Sequence, residues 1–150
     1  MKQKIWEGIA AVGGFIASFF TSLPPIVWVL VIVMGLDYLT GILCGIRGKS
    51  PKTETGGVSS QTAFAGLLKK AVIIVVVILA YVLDWLVTQG AGVEFSAVSG
   101  ATCLWFIASE GISILENAAT LGVKIPGVLL QALEIVRSKG GDDKPPDNHQ

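Results

Sequence analysis

Glu110-Gly-Ile-Ser-Ile-Leu-Glu116-Asn117 ends a long apolar stretch and leads into Leu121-Gly-Val-Lys-Ile-Pro126, and this passage decides how the chain is read. It sets carboxylates where hydrocarbon is expected. A charge at bilayer depth costs roughly 3 kcal/mol on insertion scales, so it faces protein or water rather than lipid. Composition agrees with a membrane setting: 52% of the 150 residues are hydrophobic, only 15% are charged, and the mean hydropathy is +0.69. The apolar residues come in blocks close to the roughly 20 residues that a spanning helix needs. Eleven basic and eleven acidic residues cancel, so net charge gives no reason to expect a nucleic-acid partner and only the placement of charge is informative.

Outward from that passage, a span runs from about Ser96 to Glu116, rich in small residues and carrying Glu110. The break Thr88-Gln-Gly-Ala-Gly-Val-Glu94 separates it from a span over Leu67 to Val87, which is led by Lys69-Lys70. Its β-branched run Val72 to Ile78 is strand-like, but the length of the apolar stretch decides for helix. Ile26 to Ile46 is a further span, bounded by Pro24-Pro25 and by the basic, turn-rich run Arg47-Gly-Lys-Ser-Pro-Lys52. Ile5 to Leu23 holds Glu7 and several glycines, yet still offers about 19 residues with large apolar side chains. The expected fold class is an all-α integral membrane protein, a small bundle of four (alternatively three) transmembrane helices followed by a C-terminal amphipathic helix. Residues 1–138 form this one domain, and 139–150 form a polar tail too poor in apolar residues to fold.

Basic residues near span ends tend to stay cytoplasmic. Arg47, Lys49, Lys52, Lys69 and Lys70 flank one loop, whereas Thr21 to Pro25 and Thr88 to Phe95 contain no Lys or Arg. The central loop is therefore expected inside. Four spans also bring Lys2, Lys4, Lys124, Arg137, Lys139 and Lys144 to that side, with both termini cytoplasmic. Three spans would leave the N-terminal lysines outside, with Ile5 to Leu23 lying in the interface or absorbed in an assembly. A cleaved signal peptide is disfavoured, since no Ala-x-Ala-like site follows the apolar stretch cleanly.

In the first segment Ile5, Ile9, Val12, Ile16, Phe19 and Leu23 make a bulky stripe, while Ala10, Gly14 and Ser18 recur every four residues on the other side. Small-xxx-small rows let helix backbones approach closely in lipid. Together with Gly41 in the next span they are candidate packing positions, for self-association or for packing within one bundle. Past the last span, Pro126 can open a helix, with Val128, Leu129, Leu133 and Val136 at helical spacing. Residues 125–138 are too short to span and are expected to lie on the cytoplasmic surface, or to pack on the cytoplasmic loop.

Chemistry of the catalytic or metal-binding kind is not signalled. Cys44 and Cys103 lie toward opposite ends of different spans and read as small buried fillers, and His149 stands alone in the tail. No Cys or His cluster has metal-ligand spacing, and no phosphate-binding glycine loop follows a strand. The expectation is no enzyme, no cofactor and no metal.

The intramembrane charges remain. At about 1.5 Å per residue, Asp37 lies about 16 Å below Ile26 and Glu110 about 21 Å below Ser96, within about one turn of each other in depth. Lys69 and Lys70 enter from the cytoplasmic end, so Lys70 can reach toward Glu110 or snorkel to the headgroups. Asp84 lies near the outer end of its span, where exposure costs little. Asp37, Lys69, Lys70, Asp84, Glu110 and Glu116 are the candidate pore or assembly residues, with local pairing inside one subunit as the alternative.

Taken in order, Leu36-Asp37-Tyr-Leu-Thr40-Gly41, Ser59-Ser60, Gly66-Leu-Leu-Lys69-Lys70, Asp84, Glu110, Ser113-Ile-Leu-Glu116-Asn117 and Gly122-Val-Lys-Ile-Pro126 match a known pattern. From Leu36 to Pro126 the chain resembles the toxin-secretion and phage-lysis holin family of small membrane proteins. The resemblance implies a protein that accumulates in the cytoplasmic membrane of a host bacterium, self-associates into a homo-oligomer and opens lesions that pass an endolysin or a toxin. The first segment and the tail lie outside it. The only methionine besides Met1 is Met34, in mid-span, so a second start there would remove part of the bundle and any antiholin is expected to be a separate protein. Two other classes compete. A small proton- or cation-coupled transporter would use Asp37 as its coupling residue, although the aromatic residues are spread over all spans instead of walling one cavity. A membrane scaffold would anchor a partner through the helix after Pro126.

Overall fold

The computed structural model describes residues 2–21, 23–53 and 55–139. They form five α-helices: α1 (Lys2–Thr21), α2 (Pro25–Ile46), α3 (Ser60–Ala91), α4 (Ala97–Thr120) and α5 (Gly127–Lys139). The expected polar tail lies, apart from Lys139, outside the described residues. Among the described residues there is no strand, and three helices, α2, α3 and α4, are long and apolar enough to cross a membrane.

Local chemistry sets the helix ends. Pro25 occupies the first turn of α2, where its missing N–H is no loss. α3 starts at Ser59, whose hydroxyl accepts from the Thr62 N–H at 3.5 Å. It stops at Gly92, which turns the chain at φ 68°, a conformation that favours glycine. Its 32 residues amount to about 48 Å, well beyond the roughly 30 Å of hydrocarbon. Hydropathy marks only the apolar part of α3, Leu67 to Val87, because the first turn, Ser60-Gln61-Thr62, is polar and the helix start is fixed by the cap instead.

α4 is the central helix and packs against α2, α3 and α5, whereas α2 and α3 touch only lightly. Val27, Leu30 and Met34 of α2, Ile73 and Val77 of α3, and Cys103 of α4 make the apolar core. Burying one such side chain contributes about 1.5–3 kcal/mol. Ile32, Leu36, Leu39 and Leu43 on α2 and Val72, Val75, Leu79 and Leu86 on α3 point outward and are exposed, which marks a surface built for lipid or another subunit rather than water.

Two segments differ from the expectation. α1 is 20 residues long, but it is not among the helices apolar enough to span and touches no other helix among the described residues. Ile5, Ile9 and Val12 of its bulky stripe are exposed, as are Ala10, Gly14 and Ser18 of its small row. α5 forms where the amphipathic spacing places a helix, yet it folds back along α4 rather than onto the cytoplasmic loop. The helices are antiparallel: Leu133 fills the space over Gly111, where an added Cβ would lie 3.1 Å from the Leu133 Cδ1, and Arg137 stacks on Trp105 at 5.8 Å. A glycine on α4 lets α5 approach closely through Leu133, while Val128, Leu129 and Val136 of the expected apolar face stay exposed.

A buried ionic cluster as candidate functional site

Asp37 on α2, Lys70 on α3 and Glu110 on α4 are 7%, 9% and 3% exposed. Lys70 joins the other two. Its ammonium donates to the Asp37 Oδ2 at 2.8 Å and to the Glu110 Oε2, so one cation binds three helices through two ion pairs. Counting from the helix ends on the side of the α2–α3 loop explains the register: Asp37 is nine residues before Ile46, Lys70 ten after Ser60 and Glu110 ten before Thr120. At about 1.5 Å per residue, all three sit about 13–15 Å from those ends.

Asn117 completes the cluster one level nearer the α2–α3 loop. Its side-chain amide donates to the Asp37 Oδ1 at 3.2 Å and to the Thr40 hydroxyl at 3.0 Å. The Thr40 hydroxyl in turn donates to the Asp37 carbonyl at 3.0 Å, and the Cys44 thiol donates to the Asn117 carbonyl at 3.3 Å. Gly41 faces this amide, and a Cβ there would lie 3.8 Å from the Asn117 Nδ2. Every polar group of this layer that α2 and α4 bury between them has a partner, as buried polar atoms require. Two carboxylates against one ammonium leave the trio one negative charge in excess when all three are ionised.

Asp84 belongs to a second polar layer. It is buried, and its carboxylate accepts from the Val98 N–H at 3.1 Å and the Ser99 N–H at 2.8 Å. Ser96, at the N-cap position of α4, makes no side-chain cap bond. A carboxylate from the neighbouring helix therefore caps α4 and meets the positive end of its dipole. This corrects the reading of Asp84 as a cheaply exposed end-of-span charge. Fourteen residues separate Lys70 from Asp84 on α3, so the two layers are about 21 Å apart.

The remaining candidates fall outside both layers. Lys69 and Glu116 are exposed, and neither forms an ion pair among the described residues. Sequence reasoning grouped Lys69 with Lys70, but adjacent residues point about 100° apart around a helix, and only one can face α4. Asn117 and Thr40 were visible as motif letters without a role. Their signal was an amide and a hydroxyl within two turns of the intramembrane acids.

On the side of the loop between α2 and α3, the cluster opens into a cavity of about 110 Å³ beneath that loop. That loop is ordered by its own hydrogen bonds: Ser50 N–H to Gly56 O at 2.8 Å, and the Thr53 hydroxyl to Gly57 O at 2.9 Å. Gly56 has φ 70°, and a Cβ there would collide with the Gly48 carbonyl, so the tight crossing needs glycine.

Comparison with known proteins shows the family of the chain. The model of the bacteriophage holin family matches residues 14–138. The chain is 38% identical over 130 residues to an uncharacterized protein of Clostridium perfringens (strain 13 / Type A), covering 83% of this chain and 87% of that protein. It is 30% identical over 137 residues to an uncharacterized protein of Listeria monocytogenes, covering 91% and 89%. A probable holin of Bacillus phage phi105 is 33% identical over 103 residues, 69% of this chain and 67% of that protein. No solved structure matches. Three apolar helices of spanning length, tied together by charges hidden from lipid, and a family match over most of the length lead to one conclusion: the chain belongs to the bacteriophage holin family.

Proposed function

We propose that this chain is a holin that accumulates in the cytoplasmic membrane of a host bacterium, self-associates and opens timed lesions through which an endolysin or a toxin passes. The observation that carries the reading is the Asp37–Lys70–Glu110 cluster inside an otherwise lipid-facing bundle. At rest Lys70 holds both carboxylates away from lipid. In an oligomer that rearranges around water, they and the hydroxyl and amide groups of Thr40 and Asn117 become a hydrophilic lining, and hydration replaces the ion pairs. Buried ion pairs suit this use because their net contribution is small while breaking them in a dry setting is costly. Charges displaced through the membrane field change in energy by about 2.3 kcal/mol per 100 mV each, which links opening to the membrane potential. The lesion itself needs no catalysis.

In this reading residues 1–138 act as one membrane domain with both termini in the cytoplasm, and α1 crosses as a fourth span when its exposed stripe and small-residue row are covered by other copies. α5 then exchanges α4 for the cytoplasmic surface, since Arg137 and Lys139 at bilayer depth would each cost about 2.5–3.5 kcal/mol. Any antiholin is a separate protein. The test is induced expression in a bacterium carrying a cytoplasmic reporter enzyme, following viability, membrane potential and enzyme release together. Sudden, delayed death with release of folded enzyme is expected. Depolarisation without release, or full viability under good expression, would overturn the proposal.

A further inference from the structure

The cavity under the α2–α3 loop is lined by three lysines, Lys52, Lys69 and Lys70, against two carboxylates, Asp37 and Glu110. Lys70 is already engaged by both carboxylates at the deep end. Lys52 and Lys69 have no ion pair among the described residues, and both are exposed at the mouth. The polar groups beside them are poised to donate. The Ser50 hydroxyl accepts from the Lys52 N–H at 3.3 Å and the Ser59 hydroxyl from the Thr62 N–H at 3.5 Å, which leaves the proton of each hydroxyl free for a further acceptor. α3 also begins here, with the positive end of its dipole at the mouth.

We propose that this cavity binds a singly charged phosphate group at the cytoplasmic face. Among the described residues of the lining, three ammonium groups less two carboxylates leave one positive charge, which one monoanion balances. A phosphodiester carries that single charge, whereas a phosphomonoester carries nearly two at neutral pH. The volume of about 110 Å³ holds about four waters at about 30 Å³ each, comparable to the four oxygens of a phosphate. The mouth lies at the inner ends of the spans, where lipid headgroups lie, and basic pockets between helices on that side suit anionic headgroups. The site stands on the cavity alone and is independent of whether the protein opens lesions.

The experiment is calorimetric titration of the full-length chain, in an uncharged detergent, with short-chain phosphatidylglycerol, with phosphatidylcholine of equal chain length and with inorganic phosphate. The variants are K52Q/K69Q and R47Q/K49Q. Each pair removes two positive charges from the same loop region, but Arg47 and Lys49 do not line the cavity. Saturable binding that falls roughly tenfold or more in K52Q/K69Q and holds in R47Q/K49Q supports the site. Phosphatidylglycerol as the ligand that binds assigns the phosphate to membrane lipid, and inorganic phosphate alone assigns it to a soluble anion. K69R, which keeps the charge, is expected to retain binding, and circular dichroism checks that each variant is folded. Equal loss in both pairs, equal affinity for phosphatidylcholine, or binding of neither phosphatidylglycerol nor phosphate overturns the proposal.

Discussion

Lys70→Met removes one ammonium and leaves two carboxylates facing each other inside the bundle. Both accept from the same nitrogen in the folded chain, so their oxygens are at most about 6 Å apart, where like charges repel by about 3 kcal/mol at an effective dielectric constant of about 20. Removing one partner of a buried ion pair costs about 3–5 kcal/mol in measured cases. Lys70→Met is therefore expected to destabilise the bundle by about 3–5 kcal/mol. The assay is reversible unfolding of the purified chain in mixed micelles of rising dodecyl sulfate content, followed by circular dichroism and tryptophan fluorescence. Charge accounting supplies the control. Lys70→Met takes the trio from −1 to −2, and adding Glu110→Gln restores −1, so the double variant is expected to recover a large part of the loss. In cells, the single variant should lyse its host early, because the resting arrangement is the one weakened. A shift below about 1 kcal/mol for Lys70→Met, or no recovery on adding Glu110→Gln, would refute the reasoning.

Other substitutions probe the surrounding contacts. Asp84→Ala removes the cap of α4 and strands the Val98 and Ser99 N–H groups, so a loss of about 1–3 kcal/mol is expected in the same unfolding assay, with Asp84→Asn retaining part of the effect. Gly111→Ala brings a methyl group to 3.1 Å from the Leu133 Cδ1 and should loosen α5 from α4, seen as faster proteolysis after Arg137 and reversed by adding Leu133→Ala. Glu116→Gln changes an exposed residue and should stay within about 0.5 kcal/mol of the parent.

How much of this was legible in the sequence depends on which physical signal each feature carries. Asp37 and Glu110 could be matched in depth because helical rise is constant, whereas Lys70 was given only a reach toward Glu110 or the headgroups, and its pairing with Asp37 comes from the structure. Choosing Lys70 over Lys69 needed the rotation of α3 about its axis, which an evenly apolar helix does not encode. Asp84 was misjudged because its partners, the Val98 and Ser99 N–H groups, belong to the start of a different helix, and Ser96 looks locally like a sufficient cap. The start of α3, polar at Ser60-Gln61-Thr62, escaped a hydropathy window although Ser59-Ser60 was in view. α5 shows the limit of helical spacing: it leaves open which residues find a surface, and here Leu133 meets Gly111 of α4 while Val128, Leu129 and Val136 stay exposed. α1 poses the same question without an answer inside one subunit, since Lys2–Thr21 meets no other helix among the described residues.

The claim at the centre of the account is that the α2–α4 seam beside the ionic cluster is closed to water at rest and open in the lesion. Cys44 reports on it directly, being 0% exposed and bonded to the Asn117 carbonyl at 3.3 Å. The measurement is labelling of Cys44 by a membrane-permeant maleimide, in a Cys103→Ala background, before and after onset of reporter-enzyme release. Cys44 is predicted to be unreactive before onset and modified afterwards. Labelling of resting cells, or a Cys44 that stays unmodified in cells that have released their enzyme, would contradict the account.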